Sequence, residues 1–395
     1  MPTAAPPIYV DVPADSFDQT GEFTQRVGPD DLVHFVLNVG DGDTQVLLLP
    51  EEERSNGKRT RKAIVVDVVP AGKLERLIGA LQAEGLLDSE GKPLELVVAT
   101  HPHADHISGM GSFLRKRKAE IGTFMESAYF MPTKSYFQMM EALAGAPEID
   151  HLQPSSGTVL FIDQVKITIL APGVGLKGRY DSYGIDPNNS SIALRVDFPA
   201  RRYYMRGKDG SYDKLPNGAS LILGADAQTL SWSQVLVDFP QLEADDSAVA
   251  EALRKARGVE PLNADVFKVP HHGSKHGLNL ELVEAIDPSV SLISSVRGGG
   301  KYNFPHRVSL EALREGLEAT TGKGSDHSLD HELGIHYTCG REEGGGKALG
   351  TIAAVIGPSG RAEVWRFGDE PGDSVDLAAG RHFKRKPRRH SPPAG

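Results

Sequence analysis

Residues 100–110, THPHADHISGM, constrain this chain more than any other stretch. They follow LELVVAT, a near-continuous apolar run of the kind a sheet buries on both faces. Within six positions the pattern HxHxDH packs His101, His103, Asp105 and His106. Imidazole nitrogen and carboxylate oxygen are the ligands that a borderline-soft ion such as zinc accepts. Irregular backbone after a strand aims alternating side chains at a common point, so His101 and His103 are expected to face one ion and Asp105 and His106 a second. The bland alternative is a polar loop rich in histidine. It has to place three of the chain's 14 histidines in this one hexapeptide by chance, and ligand-type clusters at such spacing mark metal sites.

The rest of the chain supplies strands and helices to carry such a loop. LVHFVLNV alternates, with Leu32, His34, Val36 and Asn38 on one side, which predicts a strand. GDGD turns it and TQVLLLP returns, a hairpin. AIVVDVV is a third strand holding Asp67 near its end. Residues 72–85 carry Leu74, Leu77, Ile78 and Leu81 at helical spacing, and Gly85 is a natural stop. KITILAP, SIALRVDF, DVFKVP, SVSLISSV and GTIAAVIG read as further strands, and RRYYMRGKDGSYDKLPNGASLILGAD as a long hairpin with a polar tip. Helices are expected over 229–257 and near 308–318. Mixed strands and helices with polar residues gathered at strand ends imply sheets sandwiched by helices. The expected organisation is an N-terminal arm (1–28), one domain (29–366) with insertions near 200–220 and 322–346, and a basic, Pro-rich, disordered tail (367–395).

Composition excludes some functions. A formal net charge of −10 argues against a surface that coats nucleic acid nonspecifically. The basic tail segment KRKPRR is the stretch expected to contact nucleic acid, if any does. Cys339 is the one cysteine, so no intramolecular disulfide forms, and a reducing, cytoplasmic setting fits best. The N-terminus lacks the pattern of a signal peptide, and no apolar run approaches the roughly 20 residues that span a bilayer, so a soluble protein is expected. VRGGGK and REEGGGK lack the frame of a phosphate loop and read as turns. His327, His331, His336 and Cys339 form a second cluster, read as a polar loop because zinc modules ordinarily use more thiolates.

The HxHxDH segment resembles the signature of the metallo-β-lactamase superfamily. Asp67, Asp226 in LILGAD, and VPHHGS at 269–274 fall in that family's order. More narrowly, LNVGDGDTQVLLL, NNSSIALRV, LILGADAQ and KVPHHGSKHG resemble the soluble hydrolase domain of ComEC-type DNA-uptake proteins. YNFPHRVSLEAL and GTIAAVI extend that likeness across about residues 32–357. The membrane-spanning part of that family has no counterpart, so a stand-alone hydrolase is expected. The resemblance implies an αββα sandwich of two mixed sheets flanked by helices. It also implies two divalent ions sharing a hydroxide, with zinc the default and manganese the alternative. His101, His103, Asp226 and an asparagine side chain are the implied ligands of the first ion. Asp105, His106, Asp226 and His272 are those of the second. His272 is preferred to its neighbour His271 because it directly precedes glycine, as the family's last histidine does, and His271 stays a candidate ligand. Asp67 is expected to hydrogen-bond the ligand loop, and Asp105, Asn189 and Asp67 are the expected catalytic residues.

Departures from the family pattern also matter. Many superfamily hydrolases have a histidine where this chain reads DPNNSSIAL, so Asn188 or Asn189 stands in its place, with Asn189 taken as the one that orients water or substrate. His103 occupies a position where ComEC-type domains usually carry aspartate. Phe304 replaces the first histidine of their late segment and leaves His306 as the second. The substrate favoured by the resemblance is a phosphodiester, in nucleic acid or a nucleotide. An amide, lactone or thioester is the alternative, and a catalytically silent binding member of the fold is a third. Lys268, Lys275 and Lys301 lie near the motifs as candidates to meet phosphate oxygens, and no aromatic stacking platform is recognisable.

Overall fold

Strands that are apolar on both faces need cover on both, and this chain provides it in four layers. The computed structural model describes residues 12–13, 16–18, 22–55, 57–180, 185–198, 205–206, 212–213, 219–238, 262–321, 330–358 and 361–384. A nine-stranded sheet runs, edge to edge, through Arg381–His382, Ala362–Arg366, Ile352–Ile356, Leu32–Val36, Gln45–Leu48, Ala63–Val66, Leu94–Ala99, Ile121–Glu126 and Asp150–Leu152. Its last four strands are parallel and the others antiparallel. A seven-stranded sheet runs through Ile335–Tyr337, Val290–Ile293, Val266–Lys268, Ala219–Leu223, Ala193–Phe198, Val165–Ala171 and Val159–Ile162, with its first four strands parallel.

Alternation along each strand sorts the core into three slabs. Leu32, Val36 and Leu47 of the first sheet meet Ile167, Val196 and Val266 of the second between the sheets. Val33, Phe35 and Val46 face the other way, onto helices Ala71–Ala83, Met110–Arg117 and Lys134–Ala144. Ile222, Phe267 and Ile293 pack against Thr229–Asp238, Leu280–Ile286 and Arg307–Thr321. This is the expected αββα sandwich of two mixed sheets flanked by helices. Helix Ala71–Ala83 stops where Gly85 takes φ +71°, a left-handed conformation that glycine adopts without penalty.

Two expectations about organisation need correction. Residues 335–337, expected inside an insertion, form the edge strand of the second sheet, because Ile335 and Tyr337 are buried in its helix-side core. The tail does not begin at 367. Residues 367–384 continue the domain and add the edge strand Arg381–His382 to the first sheet, since Phe367, Leu377 and Phe383 are apolar and buried, and the buried Lys73 ammonium meets Asp369 at 2.5 Å. Residues 385–395, with most of KRKPRR, lie outside the described residues, as do 239–257 of the expected helix and His327. No helix among the described residues is long and apolar enough to cross a membrane.

Candidate metal centre

The predicted ligands leave the carboxyl ends of parallel strands, where open α/β sheets form their ligand-binding crevices. Asp67 follows Ala63–Val66, the HxHxDH segment follows Leu94–Ala99, Asp226 follows Ala219–Leu223, and His271 and His272 follow Val266–Lys268. The turns that carry them are tight. Asp67, Ala225, His271 and His272 have φ of 57°, 45°, 49° and 52°, a left-handed conformation that typically costs non-glycine residues about 1–3 kcal/mol and persists where the surroundings enforce it. Ala104–Ile107 is a single helical turn, so Asp105 and His106 sit on a helix rather than on irregular backbone. Gly109 permits this turn to dock: a Cβ there lies 2.6 Å from Ala71 N and 2.9 Å from Val68 O.

Asp226, 2% exposed, stands at the centre and offers one oxygen to each of two groups. Its Oδ2 lies 3.7 Å from His101 Nε2 and 3.6 Å from His271 Nε2, and His103 Nδ1 is 3.0 Å from His101 Nε2. Its Oδ1 lies 3.2 Å from His106 Nε2 and 4.0 Å from His272 Nε2. Ligand atoms of Asp105, His106 and His272 fall within 4.8 Å of one another, as do those of His101, His106 and Asp226.

Supporting hydrogen bonds fix which nitrogens face inward. Asp67 accepts from Thr100 N (2.8 Å), Thr100 Oγ1 (2.8 Å) and His106 Nδ1 (2.6 Å). The Thr100 hydroxyl has one proton and gives it to Asp67, so at 3.2 Å it accepts from His101 Nδ1. His272 Nδ1 donates to Ser294, with Oγ at 2.9 Å and the carbonyl at 3.2 Å. When the three rings are neutral, the lone pair of Nε2 is left for the centre in each, the arrangement that outer partners impose on metal-ligating histidines. In the metal-free protein the His106 ring holds a proton there, which a bound cation would displace.

Charge in the cluster follows from burial and proximity. Burial pushes the His101 imidazole well below its ordinary pKa, and His106 adds to the effect. Burial opposes a charge on His106 too, yet Asp226 and Asp67 outweigh it and hold that ring well above its usual value. For Asp226 burial is overcome by His106 and His271, and its carboxyl lies well below the ordinary range. The cluster thus favours positive charge beside Asp226.

The residues present suit divalent cations. His106 Nε2, His272 Nε2 and Asp226 Oδ1 are buried without a well-directed hydrogen bond, and such atoms each cost about 1–3 kcal/mol if left unsatisfied. His101 Nε2 and His103 Nδ1 lie 3.0 Å apart, so the two nitrogens share one proton in the metal-free protein and converge where an ion would replace it.

Two of the sequence expectations change here. Asn189 turns away: its Oδ1 accepts from Ser231 N and Oγ, both at 3.2 Å. Asn188 lines the cavity instead, with Oδ1 buried and unpartnered, because a 3-10 turn over Pro187–Ser190 puts the two side chains on different sides. His271 faces the first group and His272 the second. Consecutive left-handed residues fan their side chains instead of alternating them, and nothing in the spacing of VPHHGS signals this.

Other residues fall as follows. His306 stands outside the cluster, its Nδ1 accepting from Lys275 N at 3.0 Å. Lys268 is fully buried against Asp43 at 2.7 Å and unavailable to a substrate. Ser294 and Thr100 carry ligand-orienting bonds that sequence reasoning missed, since serine and threonine at strand ends have no distinguishing pattern. A cavity of about 470 Å³ opens onto Asp226, His103, Asp105, His271 and Asn188, with Lys301, Tyr302 and Phe304 along its wall.

Residues 58–202 match the family model described as Metallo-beta-lactamase superfamily. ComE operon protein 3 of Bacillus subtilis is 24% identical over 241 residues, 60% of this chain; the chain spans about a quarter (24%) of that relative's length. Among solved structures, the diiron beta-hydroxylase CmlA of Streptomyces venezuelae aligns over 74% of this chain and 52% of its own at 12% identity, TM-score 0.38. The metallo-beta-lactamase fold protein YhfI of Bacillus subtilis aligns over 73% of this chain and 92% of its own at 13% identity, TM-score 0.35.

Proposed function

We propose that this chain, which carries a metallo-beta-lactamase domain, is a two-metal hydrolase acting on phosphodiester bonds of nucleic acid or nucleotides. The observation that carries the reading is Asp226, whose Oδ2 lies near His101 and His271 while its Oδ1 lies near His106 and His272. His101, His103, His271 and Asp226 Oδ2 would hold one ion. Asp105, His106, His272 and Asp226 Oδ1 would hold the other. Zinc suits the nitrogen-rich first group, and manganese is the alternative. Divalent ions in such a pair make water nucleophilic near neutral pH and polarise the oxygens of the group attacked.

The chain's own residues do the rest. Asp67 and Thr100 hold His101 and His106 in the tautomers that present Nε2, and Ser294 does so for His272. Asn188, which lines the cavity and whose buried side-chain oxygen has no hydrogen bond, is the residue assigned to orient the attacking water or a substrate oxygen. Lys301, exposed at the cavity wall, supplies a cation for a phosphate oxygen, which favours a phosphodiester over a carbonyl substrate.

The test is hydrolysis of bis-p-nitrophenyl phosphate with added zinc or manganese. Turnover is expected, and both a chelator and His103→Ala should abolish it. No turnover in protein shown to hold two ions would overturn the phosphodiester reading and direct attention to amide, lactone and thioester substrates.

A further inference from the structure

The ring of His272 does not end the site; it begins a stack of rings that reaches solvent. Phe304 lies parallel to His272, with centroids 5.9 Å apart and planes at 17°. Tyr302 lies parallel to Phe304 in turn, at 5.7 Å and 24°. Tyr302 is 47% exposed, and both aromatic rings line the cavity that contains Asp226. Other exposed rings differ: Phe130 and Phe137 pack edge-on around Tyr136.

The stack is mounted on the ligand loop itself. His306 N donates to Gly273 O at 2.9 Å, and Lys275 N donates to His306 Nδ1 at 3.0 Å. Gly273, at φ +79°, lets Pro305 approach so closely that a Cβ there would lie 2.5 Å from Pro305 Cβ. Phe304 N donates to Gly299 O at 2.9 Å, closing the loop that carries Tyr302. These bonds hold the rings in register with His272.

We infer that Tyr302 and Phe304 form a shelf on which a nucleobase stacks while its phosphate reaches the metal centre, with Lys301 at the shelf's edge for a phosphate oxygen. The inference rests on the phosphodiester reading above and narrows it to substrates that carry a base beside the scissile phosphate. Base–aromatic stacking accepts any base, since every base has a π-face, so the shelf selects nucleotides without reading sequence. Lys301 Nζ lies 3.0 Å from the Tyr302 hydroxyl and 4.8 Å from the ring centroid, nearer the hydroxyl edge than the ring centre, which leaves ring surface free. Phenylalanine at 304 keeps the inner part of the shelf apolar and uncharged. Asp41, also on the cavity wall, adds negative charge there and disfavours a second phosphate close to the shelf.

The experiment compares the dinucleotide TpT with its abasic counterpart, in which both bases are replaced by hydrogen. The wild type should cut TpT with the higher kcat/KM. In Tyr302→Ala the preference should fall at least about tenfold, equivalent to about 1.4 kcal/mol, within the range for one base on one ring. Tyr302→Phe should keep the preference. Equal kcat/KM for the two compounds in the wild type, or an unchanged preference in Tyr302→Ala, overturns the shelf. If neither compound is cut, the phosphodiester reading fails, and calorimetric binding still tests the shelf. Tighter binding of TpT that weakens in Tyr302→Ala supports it, and equal binding of both compounds overturns it.

Discussion

Lys268 and Asp43 lie between the two sheets, both fully buried, with Nζ 2.7 Å from Oδ2. Replacing Lys268 by methionine keeps most of the side-chain volume but leaves a carboxylate in the core without its counter-ion. What remains for Asp43 is thin: Gln45 Nε2 is 3.3 Å from Oδ2, and Oδ1 has no hydrogen bond. Removing one member of a buried pair costs about 3–5 kcal/mol, whereas replacing both by apolar groups is often close to neutral. Lys268→Met is therefore expected to lose about 3–5 kcal/mol. Lys268→Met/Asp43→Leu should regain at least about 2 kcal/mol of it. Urea denaturation at pH 7 in the presence of a chelator measures both, because a bound ion adds its own stabilisation. The pair also touches the site, since Asp43 N donates to Asp105 O at 3.0 Å, so metal affinity should fall in the single variant. A loss below about 1 kcal/mol in the single variant, or a double variant no more stable than the single, would refute the reasoning.

Further expectations follow from individual contacts. Asp67→Ala removes the acceptor shared by His106 and Thr100, and should weaken metal binding about 10–100-fold in a chelator-competition titration. Asn189→Ala should destabilise the fold by about 1–3 kcal/mol in denaturation, by leaving the buried Ser231 N–H unpaired, with metal content unchanged. Asn188→Ala should do the reverse, lowering kcat on bis-p-nitrophenyl phosphate while the denaturation midpoint stays within experimental scatter. His34 is fully buried, and burial lowers its pKa to about 4 from 6.5; its stabilising contribution is complete above pH 6.5 and lost as pH falls through 4. Metal-free protein should therefore lose about 3 kcal/mol from this group over that window, and the same titration on His34→Gln should lack that component.

Much of this was legible in the chain because its period and its ligand spacing report local chemistry. LELVVAT followed by HxHxDH gave the strand and four candidate ligands, though not the helical turn that carries two of them, and alternation in LVHFVLNV gave the first hairpin. The parallel strands Ile121–Glu126 and Asp150–Leu152 escaped notice because neither alternates cleanly and Asp150–Leu152 is short and half exposed. Phe383 is an isolated apolar residue in a basic stretch, and only its tertiary burial reveals that the sheet continues there. Asn188 and Asn189 differ by one position, and the choice between them depends on a 3-10 turn that no periodicity announces. Lys268 reads as a solvated strand end until Asp43, more than 200 positions earlier, is seen beside it. The stacking of Tyr302 on Phe304 was equally hidden, because a loop of three glycines at 298–300 looks like a turn, not a mount.

The central claim is that Asp226 bridges two ions. Metal content of chelator-treated, reloaded and desalted protein, measured by elemental mass spectrometry, tests it most directly. The account predicts about two divalent ions per chain in the wild type and fewer than one in Asp226→Ala, both variants folded by circular dichroism. A wild type that retains no more than one ion, or an Asp226→Ala variant that still retains two, would contradict it.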